Sequence, residues 1–88
     1  MAIEFDPRKN ARNIAVRGLS FARAADFDFD SALIVVDDRR DYGETRYRAL
    51  GLMGGVLAVL VFTMRARAVR VISLRLANRK ERVIYDKA

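Results

Sequence analysis

The chain has 88 residues, about half of them apolar, with 17 Lys+Arg, 11 Asp+Glu and neither histidine nor cysteine. That suffices for a single domain, residues 1–88, with one modest core, and it excludes a disulfide framework and a zinc site built on nitrogen and sulfur ligands. Charge is unevenly spread: residues 1–44 carry 7 Lys+Arg against 9 Asp+Glu, and residues 45–88 carry 10 against 2, so the second half offers a surface to polyanions.

Ala2–Phe5 has the pattern of a short edge strand. Asp6 then caps a helix with Pro7 at its first position, which runs to about Val16 and ends at Gly18 as a left-handed cap. Ser20 opens a second short helix. Leu33–Val36 follows as a strand, and residues 37–44 form a polar loop turning at Gly43. Tyr47–Met53 and residues 56–64 make a hairpin through Gly54-Gly55, a two-residue turn that needs positive φ. Its second strand is apolar at nearly every position, as a strand buried on both faces must be. The longest apolar run, residues 49–62, is broken by Gly51, Gly54 and Gly55 and falls short of the ~20 residues of a membrane helix.

Residues 69–74 are the last strand, where strict alternation puts Val69, Val71, Ser73 and Arg75 on one face. From about Leu76 the spacing becomes helical, with Ala77, Glu81, Ile84 and Tyr85 on one stripe and Arg75, Arg79 and Arg82 on another. The expected fold is α+β: a small antiparallel sheet of four to five strands, two short N-terminal helices and a C-terminal helix. Residues 1–9 lack the apolar core of a signal peptide, so a cytoplasmic protein with no membrane segment is expected.

Arginine supplies 14 of the 17 cations, which favours planar, bidentate recognition of phosphate or carboxylate. Arg46 and Arg48 share a strand face, and Arg65, Arg67 and Arg70 bracket the next turn. They suit a transition-state phosphate equally as well as cross-strand ion pairs with Asp37, Asp38, Asp41 or Glu44. Without histidine, proton transfer falls to a carboxylate, a phenol or Lys9, and Glu81 and Tyr85 stand one helical turn apart. The opposing reading has Glu81 paired with an arginine and Tyr85 simply packed. Asp26, Asp28 and Asp30 imitate the start of a calcium loop, but Ser31 and Asp37 stand where glycine and a bidentate glutamate belong, and no metal or other cofactor is expected. A plain nucleic-acid-binding module would interleave exposed aromatic residues with its cations, and most of the 8 aromatics here fall at core positions.

Several segments together carry a family resemblance: Ile3-Glu4-Phe5-Asp6-Pro7-Arg8-Lys9-Asn10 with Asn13; Gly18-Leu19-Ser20-Phe21 with Ala24; Asp41-Tyr42-Gly43-Glu44-Thr45-Arg46-Tyr47; Thr63-Met64-Arg65; and Arg70-Val71-Ile72-Ser73-Leu74-Arg75-Leu76-Ala77 with Glu81 and Tyr85. In order and spacing they resemble the BrnT family of ribonuclease toxins. That resemblance implies a RelE-like fold, metal-independent endoribonuclease activity, and neutralisation by a ribbon-helix-helix antitoxin of the BrnA kind, through which operator DNA is bound. It also implies Lys9, Arg65, Arg75, Glu81 and Tyr85 as catalytic positions; the spread of cationic charge adds Arg17, Arg46, Arg48, Arg70, Arg79 and Arg82 as RNA-binding candidates. Where the family usually has Lys-His-Gly, this chain has Val16-Arg17-Gly18, and arginine can hold phosphate without serving as a base. The alternative is therefore a catalytically weak or inactive homologue that acts as antitoxin partner and transcriptional corepressor.

Overall fold

The computed structural model describes residues 2–88. Its elements are β1 (Ala2–Phe5), α1 (Pro7–Arg17), a 3-10 helix (Phe21–Asp26), β2 (Leu33–Val36), β3 (Tyr47–Met53), β4 (Val56–Arg65), β5 (Ala68–Leu76) and α2 (Arg79–Asp86). The five strands form one sheet in the order β1-β5-β4-β3-β2. The expectation of an antiparallel sheet is corrected: β1 runs parallel to β5, making the sheet mixed, because the chain crosses over between them instead of returning by a hairpin.

Helix α1 begins where Asp6 accepts a hydrogen bond from the Arg8 N–H at 2.8 Å and Pro7 occupies the first turn, and it ends at Gly18 with φ 67°. Its one buried side chain, Asn13, donates to the Leu19 carbonyl at 2.8 Å and the Leu74 carbonyl at 3.0 Å. β1 pairs only with residues 68–71 of β5, so α1 closes the next part of that strand's edge with a side-chain amide. An open edge would invite pairing with another chain.

The core lies on one face of the sheet. Leu19, Phe21, Ala24 and Phe27 pack there on Ala49, Met53, Ala58, Leu60, Phe62, Val69, Val71 and Leu74. Phe29 meets Phe27 and Phe62 edge-on, at centroid distances of 5.0 and 5.5 Å. β4 is the central strand, buried on both faces from Leu57 to Thr63, as its continuous apolar run requires. At Gly51, a Cβ would stand 2.8 Å from the Ala32 Cβ and 2.9 Å from Phe27, so the loop entering β2 crosses β3 where there is no side chain.

One register shift matters for the site. Val61 pairs with Ser73 and Phe62 with Val71, leaving Ile72 as an extra residue in β5. The expected common face for Val69, Val71, Ser73 and Arg75 is corrected by this bulge: Val69 and Val71 enter the core together with Leu74, while Ser73 and Arg75 turn to the opposite, open face. The last strand also continues to Leu76, and Asn78 caps a helix that starts at Arg79, so Arg75 and Ala77 do not belong to a helical stripe. Among the described residues, no helix is long and apolar enough to cross a membrane.

Candidate functional site

On the open face, the strand register sets side chains in rows. One row runs Leu33, Leu50, Val59, Arg75 across β2, β3, β4 and β5; the next runs Val35, Arg48, Val61, Ser73. With Ile72, Ile84 of α2 and the loop residues Asp37, Arg39, Tyr42 and Arg46, they line a groove of ≈ 630 Å³ that Glu81 also enters. Its floor is aliphatic and its rim is arginine-rich.

Arg75 and Glu81 meet in a bidentate pair, Nη1–Oε1 2.8 Å and Nη2–Oε2 2.7 Å. Two local features hold Glu81 in place. It sits at the third position of α2, where its carboxylate accepts from the Asn78 N–H at 2.9 Å while its own N–H donates to the Asn78 side chain at 2.8 Å, a reciprocal capping box. The hydrogen bonds from Arg75, opposed by partial burial and reinforced by the Asn78 N–H and the charges of Arg75 and Arg48, push the Glu81 carboxyl down to about 2. The same pair raises Arg75 above its already high value. Arg48 makes no ion pair among the described residues, although its charge lies close enough to act on Glu81.

The loop wall is equally ordered. Asp37 is buried, and Arg39 holds it through bonds of 2.7 and 2.9 Å while the Tyr42 hydroxyl donates to it at 3.3 Å. The Arg39 hydrogen bond is the main reason its carboxyl falls to about 2. Arg46 donates to Glu44 at 3.1 Å and stacks on Tyr42, with its guanidinium carbon 4.1 Å from the ring centroid. Sequence reasoning passed over Asp37, Arg39 and Tyr42 as groove residues. The available signal was an aspartate directly after an apolar strand with arginine two residues on.

The residues singled out from sequence scatter. Arg46, Arg48, Arg75 and Glu81 converge on the groove. Lys9 and Arg17 line a second hollow of ≈ 270 Å³ with Arg12 and Asn13, which adjoins the first through Ile72 and Ser73. Arg17 bonds to the Asn13 side chain at 3.2 Å and the Leu74 carbonyl at 3.3 Å, so it helps close the β5 edge. Arg65 lies at the far end of β4, 4.0 Å from Glu44, and Arg70 pairs with Glu4 at 3.4 Å on the outermost strand. Glu44 therefore serves both Arg46 and Arg65, the ion-pair reading of that cluster. Arg79 and Arg82 are exposed on α2. The Tyr85 hydroxyl donates to the Ser31 carbonyl at 3.4 Å, which ties α2 to the start of β2 rather than aiming the phenol into the groove. Asp28 accepts from the Asp30 N–H and the Ser31 hydroxyl, so it orders its own loop.

The fold is similar to that in the crystal structure of the Brucella abortus ribonuclease toxin, BrnT. The two chains are 32% identical, the match covers 90% of this chain and 99% of that one, and the TM-score is 0.66. A family model described as ribonuclease toxin, BrnT, of type II toxin-antitoxin system matches residues 5–81. No protein with a curated description matches the sequence. The class is that of ribonuclease toxins from type II toxin-antitoxin systems. Within that class, the chain belongs to the BrnT family.

Proposed function

We propose that this domain is a cytoplasmic, metal-independent endoribonuclease that binds and cleaves RNA on the open face of its sheet, and that a ribbon-helix-helix antitoxin of the BrnA kind neutralises it. The observation that carries the reading is the Arg75–Glu81 pair beside Arg48, a carboxylate and two guanidiniums over one groove. A carboxylate near 2 is a poor base, but its low value depends chiefly on Arg75. When a phosphate draws Arg75 away, Glu81 loses those hydrogen bonds and recovers basicity where a 2′-hydroxyl is to be deprotonated.

In that scheme Glu81 takes the proton of O2′, the O2′–P bond forms and the P–O5′ bond breaks. Arg48 and Arg75 stabilise the charge gathered on the phosphoryl oxygens. Lys9, across the Ile72–Ser73 ridge, is assigned the proton that the leaving O5′ requires. Tyr85 keeps α2, and with it Glu81, in position. Arg46 and Arg65 extend the cationic track, with Arg17, Arg70, Arg79 and Arg82 along its margins. Operator DNA is reached only through the antitoxin.

One observation favours a second reading, an attenuated homologue that serves as antitoxin partner and corepressor. Where the family usually carries a histidine, Arg17 is spent on Asn13 and the Leu74 carbonyl. Expression without antitoxin separates the two readings. Growth arrest with loss of RNA integrity, relieved by Arg75→Ala in a still-folded protein, is the expected result. Normal growth with intact RNA and soluble, folded wild-type chain would replace the first reading by the second.

A further inference from the structure

The second hollow, beside α1, carries charge that nothing in the fold neutralises. Lys9, Arg12 and Arg17 line it, and no aspartate or glutamate does. Lys9 and Arg12 enter none of the ion pairs among the described residues. Arg17 uses a single nitrogen, Nη1, for Asn13 and the Leu74 carbonyl, which leaves its Nε and Nη2 donors for a ligand. Stability alone would not choose these residues. α1 has no acid in its first turn, where Lys9 opposes the helix dipole, and Lys9 and Arg12, three residues apart, repel each other. The one aromatic residue lining the hollow, Phe21, is buried in the core, so the hollow can grip a phosphate but offers no ring on which to stack a base.

Its position gives it a direction relative to the groove. Ile72 and Ser73 line both cavities, so a chain of phosphates that leaves the groove past them enters the hollow. Helix α2, tied by Tyr85 to the start of β2, brings Glu81 to Arg75 from the β2 side. Helix α1 closes the opposite edge of β5, where Asn13 and Arg17 hold the Leu74 carbonyl. Attacking and leaving oxygens lie roughly in line across a phosphorus. With Glu81 at O2′, the leaving O5′ points away from α2, toward the ridge and Lys9. That O5′ belongs to the nucleotide 3′ of the cut, and the next phosphate along is the one that reaches the hollow.

We propose that the hollow is a phosphate subsite for the nucleotide 3′ of the cut, with Arg12 as its principal ligand beside Arg17. The inference rests on the RNA cleavage proposed above and adds the polarity of the bound strand and a length requirement on its 3′ side. The subsite is indifferent to base identity, because what it holds is backbone.

The test uses the purified chain and three short RNA pools, each with all four bases at every position and one cleavable linkage. NpN has only the scissile phosphate; NpdNpN adds one phosphate on the 3′ side, and dNpNpN adds one on the 5′ side, the 2′-deoxy sugar blocking the second cut. The two longer pools carry equal charge, so only the side of the extra phosphate differs. In the wild-type chain NpdNpN is expected to exceed NpN by about tenfold in kcat/KM, and dNpNpN to stay within about twofold of NpN. Arg12→Ala and Arg12→Glu, at an exposed position and checked by circular dichroism, erase the gain. Arg8→Ala, a cation of α1 that lines neither cavity, keeps it. A gain on the 5′ side equal to that on the 3′ side, or a gain that survives both Arg12 variants, would overturn the proposal. So would loss of antitoxin affinity in those variants with the RNA preference intact, which would give the hollow to the antitoxin. If the wild-type chain cuts none of the pools, the enzymatic reading fails, and calorimetry with all-deoxy dimers and trimers decides the subsite separately: a trimer bound about tenfold more tightly than a dimer, and no longer so in Arg12→Ala, supports it, whereas equal affinities in wild type refute it.

Discussion

Replacing Glu81 by glutamine removes one charge and almost no volume. The Glu81 carboxyl sits at about 2, against ~4.3 for an unperturbed glutamate, a gap that corresponds to ~3 kcal/mol at full strength. Arg75 and Glu81 retain 35% and 20% side-chain exposure, so solvent screening reduces the expected contribution to about 1–2 kcal/mol. Glutamine still accepts from the Asn78 N–H, which leaves the capping box in place and isolates the charge. At about 4–8 °C per kcal/mol for a domain of this size, Glu81→Gln lowers Tm by about 5–10 °C at neutral pH. The native pKa lies below the unfolded one, so the stabilisation is complete above about pH 5 and is lost as the pH falls toward 2. Thermal melts of both proteins at pH 7, 5, 4 and 3 should show the gap narrowing through the acid range. A gap that persists undiminished at pH 3, or no gap at pH 7, would refute the assignment of this stability to the ionised pair.

Asn13→Ala removes the side-chain donor to the Leu19 carbonyl and one of the two donors to the Leu74 carbonyl, which Arg17 also reaches, and should cost about 1–2 kcal/mol in urea denaturation; a loss under about 0.5 kcal/mol would mean that the amide does not hold the β5 edge. Gly51→Ala drives a methyl to within 3 Å of Ala32 and Phe27 and should destabilise by about 1–3 kcal/mol, with neutral behaviour ruling out the close crossing over β3. Ala66 occupies the β4–β5 turn with φ 54°, so Ala66→Gly relieves left-handed strain, offset in part by the greater freedom of unfolded glycine, and should gain about 0.5–1 kcal/mol. A lower Tm for that variant would contradict it.

Where the chain announces its structure by local chemistry, sequence sufficed. Asp6-Pro7 and Gly18 frame α1, Gly54-Gly55 closes the hairpin with φ of 57° and 84°, and the unbroken apolar run marks β4 as the central strand. The parallel partnership of β1 with β5 leaves no such trace, because its partners lie 66 residues apart and either direction suits Ile3 and Phe5. At the site, Arg48, Arg75 and Glu81 were legible as residue types, yet not as a constellation. Continuing the helical stripe back over Arg75 hid that Arg75 reaches Glu81 from a strand. Tyr85 was read by spacing alone, which says nothing of the Ser31 carbonyl that receives its hydroxyl.

The extra residue at Ile72 switches the numbering parity of everything downstream. Upstream of it, odd-numbered positions of β5 face the core; downstream, an even-numbered one does, and Arg75 stands on the open face. Composition at the bulge can drift, since Ile72 is only half-buried, and the pairs on either side of it do not depend on its presence. Loss of its codon would set Val71 and Ser73 against Phe62 and Val61 as consecutive pairs, a regular ladder that keeps Leu74 in the core and Arg75 on the open face and removes only the local distortion of the bulge.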